Sequence, residues 1–412
     1  MALATARVFN LRTFQSLKIR DYRFHMLSGL FHMACMNMRM VVDGWFVYKL
    51  TGSEALLGLT LLANAIPPLV LSFLGGTLAD RAHRKYIMIV CLILSSLLSL
   101  WIAVSTTAGI ITWHYIVISS FIQGCIISFM MPARQSLINE IVGREHLMNA
   151  VALNGAVMNV NQIGAPAIAG FMVAASGIES VYYLMVGLFL VAAVLFLPMR
   201  AGNGAKRPSG QPRRSVMGDI KDGLVYVRSN QTLLMILILT QITVILAMPF
   251  RLLLPVFTED ILHVGPEKLG ILVSVSGAGA LVSSLIVASM GNKNRGIIFL
   301  HTGVFLGASI IAFSISGLFW MSLLIMIAAG FGQAARLTLS NTLLQSYTED
   351  AYIGRVMSLF MMQWGVTSLG AFIVAIAAEF VGVQWAVGAT GVMLVMVSFY
   401  CYAFAPRIRS LQ

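Results

Sequence analysis

The sequence predicts an all-α membrane protein with twelve transmembrane helices in two pseudo-symmetric six-helix bundles. Hydrophobic residues make up 58% of its 412 residues, charged residues make up only 10%, and the mean hydropathy is +0.88. Because a soluble domain carries roughly 25% charged residues, this composition favours a membrane protein. Twelve apolar runs are long enough to cross a bilayer, and the last six repeat features of the first six.

Each predicted span reaches the length that a bilayer requires. About 20 mainly apolar residues cross a hydrocarbon core of roughly 30 Å. Short connections separate most of the runs. The predicted spans are 23–49, 54–79, 86–107, 112–139, 148–175, 180–199, 231–258, 266–290, 296–316, 319–344, 354–379 and 384–404.

Most of the positive charge lies on one side of the predicted membrane. The net charge is +12, but all but four of the 27 Lys and Arg residues fall on one side of the predicted membrane, the side of the two tails and the even-numbered loops. The exceptions are Lys49 and Lys268 on the other side, and Arg39 and Arg251 within spans. Lys- and Arg-rich loops stay in the cytoplasm, so we expect both termini to be cytoplasmic in a plasma (bacterial inner) membrane. The bilayer, rather than nucleic acid, is the partner of this charge.

The chain is predicted to divide into two bundles and a connection. Residues 1–200 form the first bundle with a short amphipathic cytoplasmic lead-in, and residues 230–412 form the second. The connection, 201–229, begins with a linker rich in Gly, Pro, Ser and basic residues, which is typical of a flexible segment. It continues as a helix along the inner surface.

Short matches between the bundles indicate an internal repeat. Gly58 and Gly270 are 212 residues apart, and so are Arg39 and Arg251. The stretch that begins at Arg134 is echoed by the stretch that begins at Arg336. In transporters built from such repeats, the substrate binds at the repeat interface near mid-membrane.

The sequence contains no pattern of an enzyme. It has no glycine-rich phosphate loop followed by Lys-Ser or Lys-Thr. Its four cysteines fall inside predicted spans without the spacing of metal ligands. We therefore expect no enzymatic activity, no cofactor and no metal.

A basic turn between the second and third spans carries a recognisable motif. It resembles the loop 2–3 signature of the major facilitator superfamily, Gly-x-x-x-Asp-Arg/Lys-x-Gly-Arg/Lys-Arg/Lys, with His83 at the position of the second glycine. The matching residues are Gly76, Asp80, Arg81, Arg84 and Lys85. The resemblance implies a cytoplasmic gate latch, in which Asp80 meets the start of the eleventh helix near Gly354, with Arg81 and Arg355 as further partners. The alternative is that these residues only fix the topology.

Three further stretches resemble the enterobactin-exporter-like proteins of the drug/siderophore exporter branch. They are 141–150, 251–257 and 343–355. This resemblance implies the major facilitator fold and secondary active transport by alternating access, with export of a siderophore or drug in antiport with an ion, as in multidrug efflux. The chain departs from proton-coupled drug exporters at Ser120, where their fourth helix has arginine three residues before Gln123-Gly124.

The charged residues within spans are the first candidates for a site. Arg39 and Asp43 lie one helical turn apart on one face of the first span, and in-span charges usually face a cavity or a partner. In one interpretation, Arg39 and Arg251 bind an anionic group of the substrate. In a second, Asp43 and Arg251 form a salt bridge that closes the outer gate. In a third, Arg39 and Asp43 only pair locally.

Further candidates are uncharged or titratable. His32 and Asp43 are candidates for proton coupling, and the alternative for His32 is packing. Polar residues of the middle spans either line the cavity or join helices by hydrogen bonds. These residues are Gln123, Asn154, Asn161, Gln241, Gln333 and Gln363.

We therefore expect a monomeric transporter that exports a small amphipathic or anionic molecule in exchange for an ion, and we expect this ion to be a proton. Two alternatives stay open within the same fold: uptake, and flipping of lysolipids. A third alternative is a membrane sensor or scaffold that transports nothing.

Overall fold

The computed structural model describes residues 16–200, 216–290, 294–350, 352–409 and 411. Helices dominate this part of the chain, and it contains no strand. The predicted amphipathic lead-in lies largely outside the described residues, and so does the flexible linker before residue 216.

The first half contains six long helices. Helices α4 and α5 are nearly continuous and are separated at Gly143, which has a positive φ of 64° that glycine adopts without a steric penalty. The bounds are α1 Arg20–Thr51, α2 Glu54–Arg81, α3 Arg84–Thr107, α4 Trp113–Gly143, α5 Glu145–Ser176 and α6 Ile178–Val194.

The second half begins with the amphipathic helix α7, Val216–Ser229, at the predicted position of a surface helix. Helix α8, Gln231–Ile261, is capped by Asn230 and ends in a π-helical turn, Phe257–Ile261, beyond a break beside Pro255. The break follows because proline has no backbone N–H to donate. The other bounds are α9 Pro266–Ser289, α10 Arg295–Ser314, α11 Phe319–Tyr347, α12 Ile353–Val381, α13 Val383–Phe404 and α14 Pro406–Arg409.

The helices reproduce the twelve predicted spans. Within the described ranges, ten helical stretches are long and apolar enough to cross a membrane. Helix α6 is a shorter apolar helix, and α1 is 32 residues long but carries charges in its interior. The prediction of twelve spans in two six-helix bundles is confirmed.

The two halves pack against each other through two helix pairs. Helix α5 contacts α9, and α2 contacts α12. Gly170 and Gly270 allow the first of these contacts, because an added Cβ at either glycine would collide with the backbone of the opposite helix. Small residues permit this close approach of helices in membranes.

The two ends of the molecule differ in charge, and we name them accordingly. The acidic face is the end at which α1 terminates and α2 begins. Among the described residues it carries Glu54, Glu179, Glu259, Asp260, Glu267 and Glu379. The basic face is the opposite end, where Arg20, Arg84, Lys85, Arg200, Arg228, Arg295, Arg355 and Arg407 lie.

The halves are closed together at the acidic face. One buried apolar cluster there combines Trp45 and Leu57 of the first half with residues of α8, α9 and α12. Near the basic face, an added Cβ at Gly76 or Gly354 would meet no described atom within 4 Å. The structure therefore shows the halves in contact at the acidic face.

Candidate functional site

A buried ion pair lies within α1. The Nε of Arg39 is 3.0 Å from Oδ2 of Asp43, one helical turn away, and the two residues are 4% and 8% exposed. Buried charges are costly unless they are paired and hydrogen-bonded, so this contact offsets much of the cost of burial for both residues. Among the described residues, no ion pair joins Asp43 to Arg251.

Neighbouring helices complete the hydrogen bonding of this pair. Tyr182 on α6 donates its hydroxyl to Oδ1 of Asp43 at 2.6 Å. On α4, Ser120 donates to Oδ2 of Asp43 at 3.3 Å, and the guanidinium of Arg39 donates to Ser119 and to Gln123. The carboxylate is thus a hydrogen-bonded group at the interior of the first half.

The face of α1 that carries this pair points into its own bundle. Ser28 and Cys35, on the same face, donate to carbonyl oxygens of α6, at Ala192 and Met185. His32 is buried beside the ring of Phe189 on α6, and its Nδ1 has no hydrogen-bond partner among the described residues. The structure therefore brings Arg39, Asp43 and Gln123 together inside the first half.

Arg251 has a different environment, between the two halves. It lines a small and mostly apolar cavity with residues of α1, α2, α8 and α9, among them Val41, Leu61 and Val273. Its Nε is buried and has no hydrogen-bond partner within the described part of the chain. A guanidinium carries its charge at any physiological pH, so the cavity presents an unneutralised cation.

The remaining predicted polar residues occupy separate positions. Gln333 on α11 donates to the sulfur of Met248 on α8, and Gln241 on α8 donates to the backbone of Leu359. Asn161 donates to its own helix at Val157. These three side chains bond to helices in the structure and are not gathered into one cluster. Gln363 is 5% exposed at the start of the second part of α12.

Two buried arginines were not predicted as in-span charges. Arg134 and Arg336 are 5% and 2% exposed, although the charge count placed both with the basic side. Arg134 donates to Asn154 on α5 at 3.1 Å. Arg336 donates to Thr243 at 2.6 Å and to the carbonyl of Phe299 at 2.9 Å. The signal was present, since these arginines begin the repeated stretches in the two halves and lie within the predicted spans.

The described residues of the loop 2–3 motif contact the first half. Arg84 pairs with Glu140 at 3.0 Å, and Lys85 donates to the carbonyl oxygens of Leu197 and Met199. Arg355, at the start of α12, lies 3.8 Å from Asp222 on α7. The side chains of Asp80 and Arg81 lie outside the described residues, so the predicted latch stays a prediction.

The chemistry available here is that of charge pairing and anion binding. The carboxylate of Asp43 is paired with Arg39, and a guanidinium such as that of Arg251 is a group that binds anions. Within the described ranges, no group of three or more His, Cys, Asp or Glu side chains could hold a metal ion.

Sequence comparisons relate almost the whole chain to membrane transporters. The family model described as transmembrane secretion effector matches residues 12–410. The chain is 27% identical to the uncharacterized MFS-type transporter YfiS of Bacillus subtilis, over 85% of this chain and 84% of that protein. It is 22% identical to a staphyloferrin A transporter of Staphylococcus aureus, over 89% and 91%.

An enterobactin exporter, EntS of Citrobacter koseri, is 24% identical over 77% of this chain and 75% of its own length. Among solved structures, the nucleoside transporter NupG superimposes with a TM-score of 0.72, at 14% identity. The superposition covers 93% of this chain and 98% of the transporter. At that identity, the likeness shows the fold alone.

Proposed function

Because this chain belongs to the transmembrane secretion effector family of the major facilitator superfamily, we propose that it exports a small amphipathic or anionic compound, such as a siderophore or a drug. The chain is a multi-pass membrane transporter and not an enzyme. The resemblance that the sequence motifs predicted is confirmed, and so is the fold that it implied. The substrate, the direction and the driving ion are the subject of the proposal.

The unpaired guanidinium of Arg251 carries this proposal. A charge at membrane depth costs a few kcal/mol even on the most lenient scale, and such residues usually mark a substrate path or pair with another charge. Arg251 has no carboxylate partner among the described ion pairs and lies where the two halves meet. An anionic group of a substrate would supply the missing charge, and the apolar lining would contact its hydrocarbon part.

The names of the relatives agree with such a substrate. Two of them are named for siderophores, staphyloferrin A and enterobactin, and one of these two is named an exporter. Siderophores bind iron through oxygen ligands, and many are anionic. An arginine would bind such an anion, but the cavity has a volume of only about 10 Å³ in this closed arrangement, so the proposal requires it to widen when the halves move.

The proposed direction of transport rests on the relative that is named an exporter, and the charge of the two faces supports the orientation of the chain. Positive charge on the basic face supports a cytoplasmic position for that face. The halves, residues 1–200 and 230–412, then rock about the cavity while 201–229 connects them. The compound enters while the basic face is parted, and it leaves when the acidic face opens.

Asp43 is the group that we propose to couple export to a proton gradient, with His32 as a second carrier. Proton-coupled drug exporters have an arginine on the fourth helix at the position of Ser120. In this chain, Arg39 of the first helix donates a hydrogen bond to Ser119, which precedes Ser120. Arg39 on the first helix therefore places a positive charge close to the position that the fourth-helix arginine occupies in proton-coupled drug exporters. Protonation of Asp43 would release Arg39 and loosen the contacts among α1, α4 and α6.

A lysolipid is the second candidate substrate. One arginine in an apolar cavity would also bind the phosphate of a lipid headgroup. A sensor or scaffold has no need of an unpaired arginine between its halves, so this observation disfavours that alternative.

Substrate binding to variants of Arg251 tests the proposal. We expect Arg251→Gln to weaken binding of an anionic siderophore by roughly 10–100-fold, the value of a charged hydrogen bond of about 1.5–3 kcal/mol. Arg251→Lys should fall between Gln and wild type, since lysine keeps the charge and loses the planar fork. Titration calorimetry in nanodiscs measures these affinities, with lysophosphatidic acid as the competing ligand.

Lys268→Gln is the matched control, because it removes a cation on α9 that stacks on Phe319 at 5.2 Å. We expect it to leave the affinity unchanged. Equal affinities of wild type and Arg251→Gln would contradict the proposed role of Arg251. Tighter binding of lysophosphatidic acid than of any siderophore would favour the second candidate.

A further inference from the structure

Two contacts made by carboxylates cross between the halves at the acidic face. In the first, the hydroxyl of Tyr48 at the end of α1 donates to Oδ2 of Asp260 at the end of α8. These residues are 212 positions apart, the same offset that relates Arg39 to Arg251. The contact therefore joins positions of the two halves that share this offset.

The second contact caps a helix of one half with a side chain of the other. Glu379, near the end of α12, accepts hydrogen bonds from Ser53 Oγ at 3.0 Å and from the backbone N–H of Ala55 at 2.9 Å. Ala55 lies in the first turn of α2, where N–H groups lack partners within the helix. A negative charge at that end is also favoured by the helix dipole.

An apolar layer lies beside these contacts, whereas Asp260 and Glu379 themselves are exposed at the surface. Trp45 and Leu57 are 3% and 0% exposed and belong to one cluster with Phe257, which is also fully buried. Tyr48 is 6% exposed and belongs to the same cluster, so its hydroxyl would lose its partner at the edge of this layer if the contact with Asp260 broke. The polar contacts and the apolar layer thus stabilise the same closed arrangement.

We propose that Tyr48, Asp260 and Glu379 are the gating residues of the acidic face. They hold α1 against α8 and α2 against α12, and both contacts must break before the cavity can open at this face. The inference rests on the alternating access of the proposed function. It assigns the gate to residues other than Asp43 and Arg251, which are not paired in the closed arrangement.

Removal of single hydrogen bonds at the gate provides the test. Tyr48→Phe deletes the hydroxyl, and Glu379→Gln removes the charge while keeping an oxygen that can accept. Two matched controls lie at the same face within the first half: Tyr183→Phe, whose hydroxyl contacts Thr107, and Glu179→Gln at the start of α6. The controls make the same chemical changes without touching the contact between the halves.

Distances between spin labels report the opening of each face. Labels at Ile110 and Leu318, exposed positions in two loops of the acidic face, belong to opposite halves. A second pair, Met148 and Ser346, reports on the basic face. The four native cysteines are first replaced, and double electron–electron resonance is recorded in nanodiscs without substrate.

We expect wild type and both controls to show a short distance at the acidic face. Tyr48→Phe should raise the long-distance population by about tenfold, and Glu379→Gln, which keeps an acceptor at an exposed position, by roughly two- to fivefold, each with a matching decrease at the basic face. Asp260→Asn, which keeps an acceptor for Tyr48, should have a smaller effect. Monodisperse gel filtration of each variant confirms that it is folded.

Gate variants whose distances match those of the controls would overturn this inference. Because no substrate is present, this outcome is distinct from a failure of the proposed transport. If both faces kept fixed distances in every variant and with every ligand, the alternating access of the proposed function would fail instead.

Discussion

Asp43 is paired with Arg39 inside the first half, and this pair makes a test of stability possible. Loss of one partner of a buried ion pair leaves an uncompensated charge, at a cost of about 3–5 kcal/mol. We expect Arg39→Ala to lower the midpoint of thermal unfolding markedly, whereas Lys49→Ala, an exposed residue of the same helix, should change it little. Thermal unfolding in detergent, followed by tryptophan fluorescence, measures both.

The double variant Arg39→Met with Asp43→Leu tests whether the loss of stability comes from the unpaired charge. Replacement of both charges by apolar groups removes the unpaired charge, so we expect it to recover most of the lost stability. Stability as low as that of Arg39→Ala would contradict the account of Asp43 as a charge that needs Arg39.

At this scale, the local pair was one of three interpretations that the sequence left open, and the surroundings of the pair were not predicted. The spacing of Arg39 and Asp43 places them together on a helix face, and the structure pairs them. The spacing cannot say which neighbouring helix meets that face, because helix order in space is a tertiary property. Tyr182 and Ser119 were therefore not predicted.

The positions of the helices were predictable to within a few residues. Their exact end residues were not predictable, and two examples show why. The predicted span 54–79 corresponds to α2, Glu54–Arg81, which starts at the cap Ser53. The predicted span 112–139 stops four residues short of Gly143, because the helix continues past the apolar region into polar residues. Hydropathy reports the membrane segment, whereas caps and glycines determine where the helix ends.

The contact between helices α5 and α9 predicts which glycine substitution will prevent closure of the acidic face. Gly170→Leu would place a side chain against the backbone of α9, so we expect it to prevent closure of the acidic face and to reduce transport strongly. Gly155→Leu on the same helix is the control, since an added Cβ there would meet no described atom within 4 Å. The label pair at Ile110 and Leu318 measures the outcome, and equal distances in the two variants would contradict the prediction.

The overall fold was the most predictable feature, because the repeat and the loop 2–3 motif can both be recognised from short stretches of sequence. The offset of 212 that relates Arg39 to Arg251 also relates Tyr48 to Asp260, but nothing in the sequence showed that the latter two would touch. Contacts between the two halves depend on the conformation of the transporter, and this structure is closed at the acidic face. For the same reason, Asp43 and Arg251 were a plausible gate by sequence and are separate here.

Flux through the reconstituted protein tests the central claim most directly. Proteoliposomes with an acidic interior receive a labelled anionic siderophore from outside, and accumulation is followed with and without a protonophore. We predict accumulation that the protonophore abolishes, and exchange without accumulation in Asp43→Asn. The same assay with His32→Ala shows whether that residue contributes to the pH dependence. No exchange of any siderophore, drug or lysolipid by the wild-type protein would contradict the claim that this chain exports a small anionic compound.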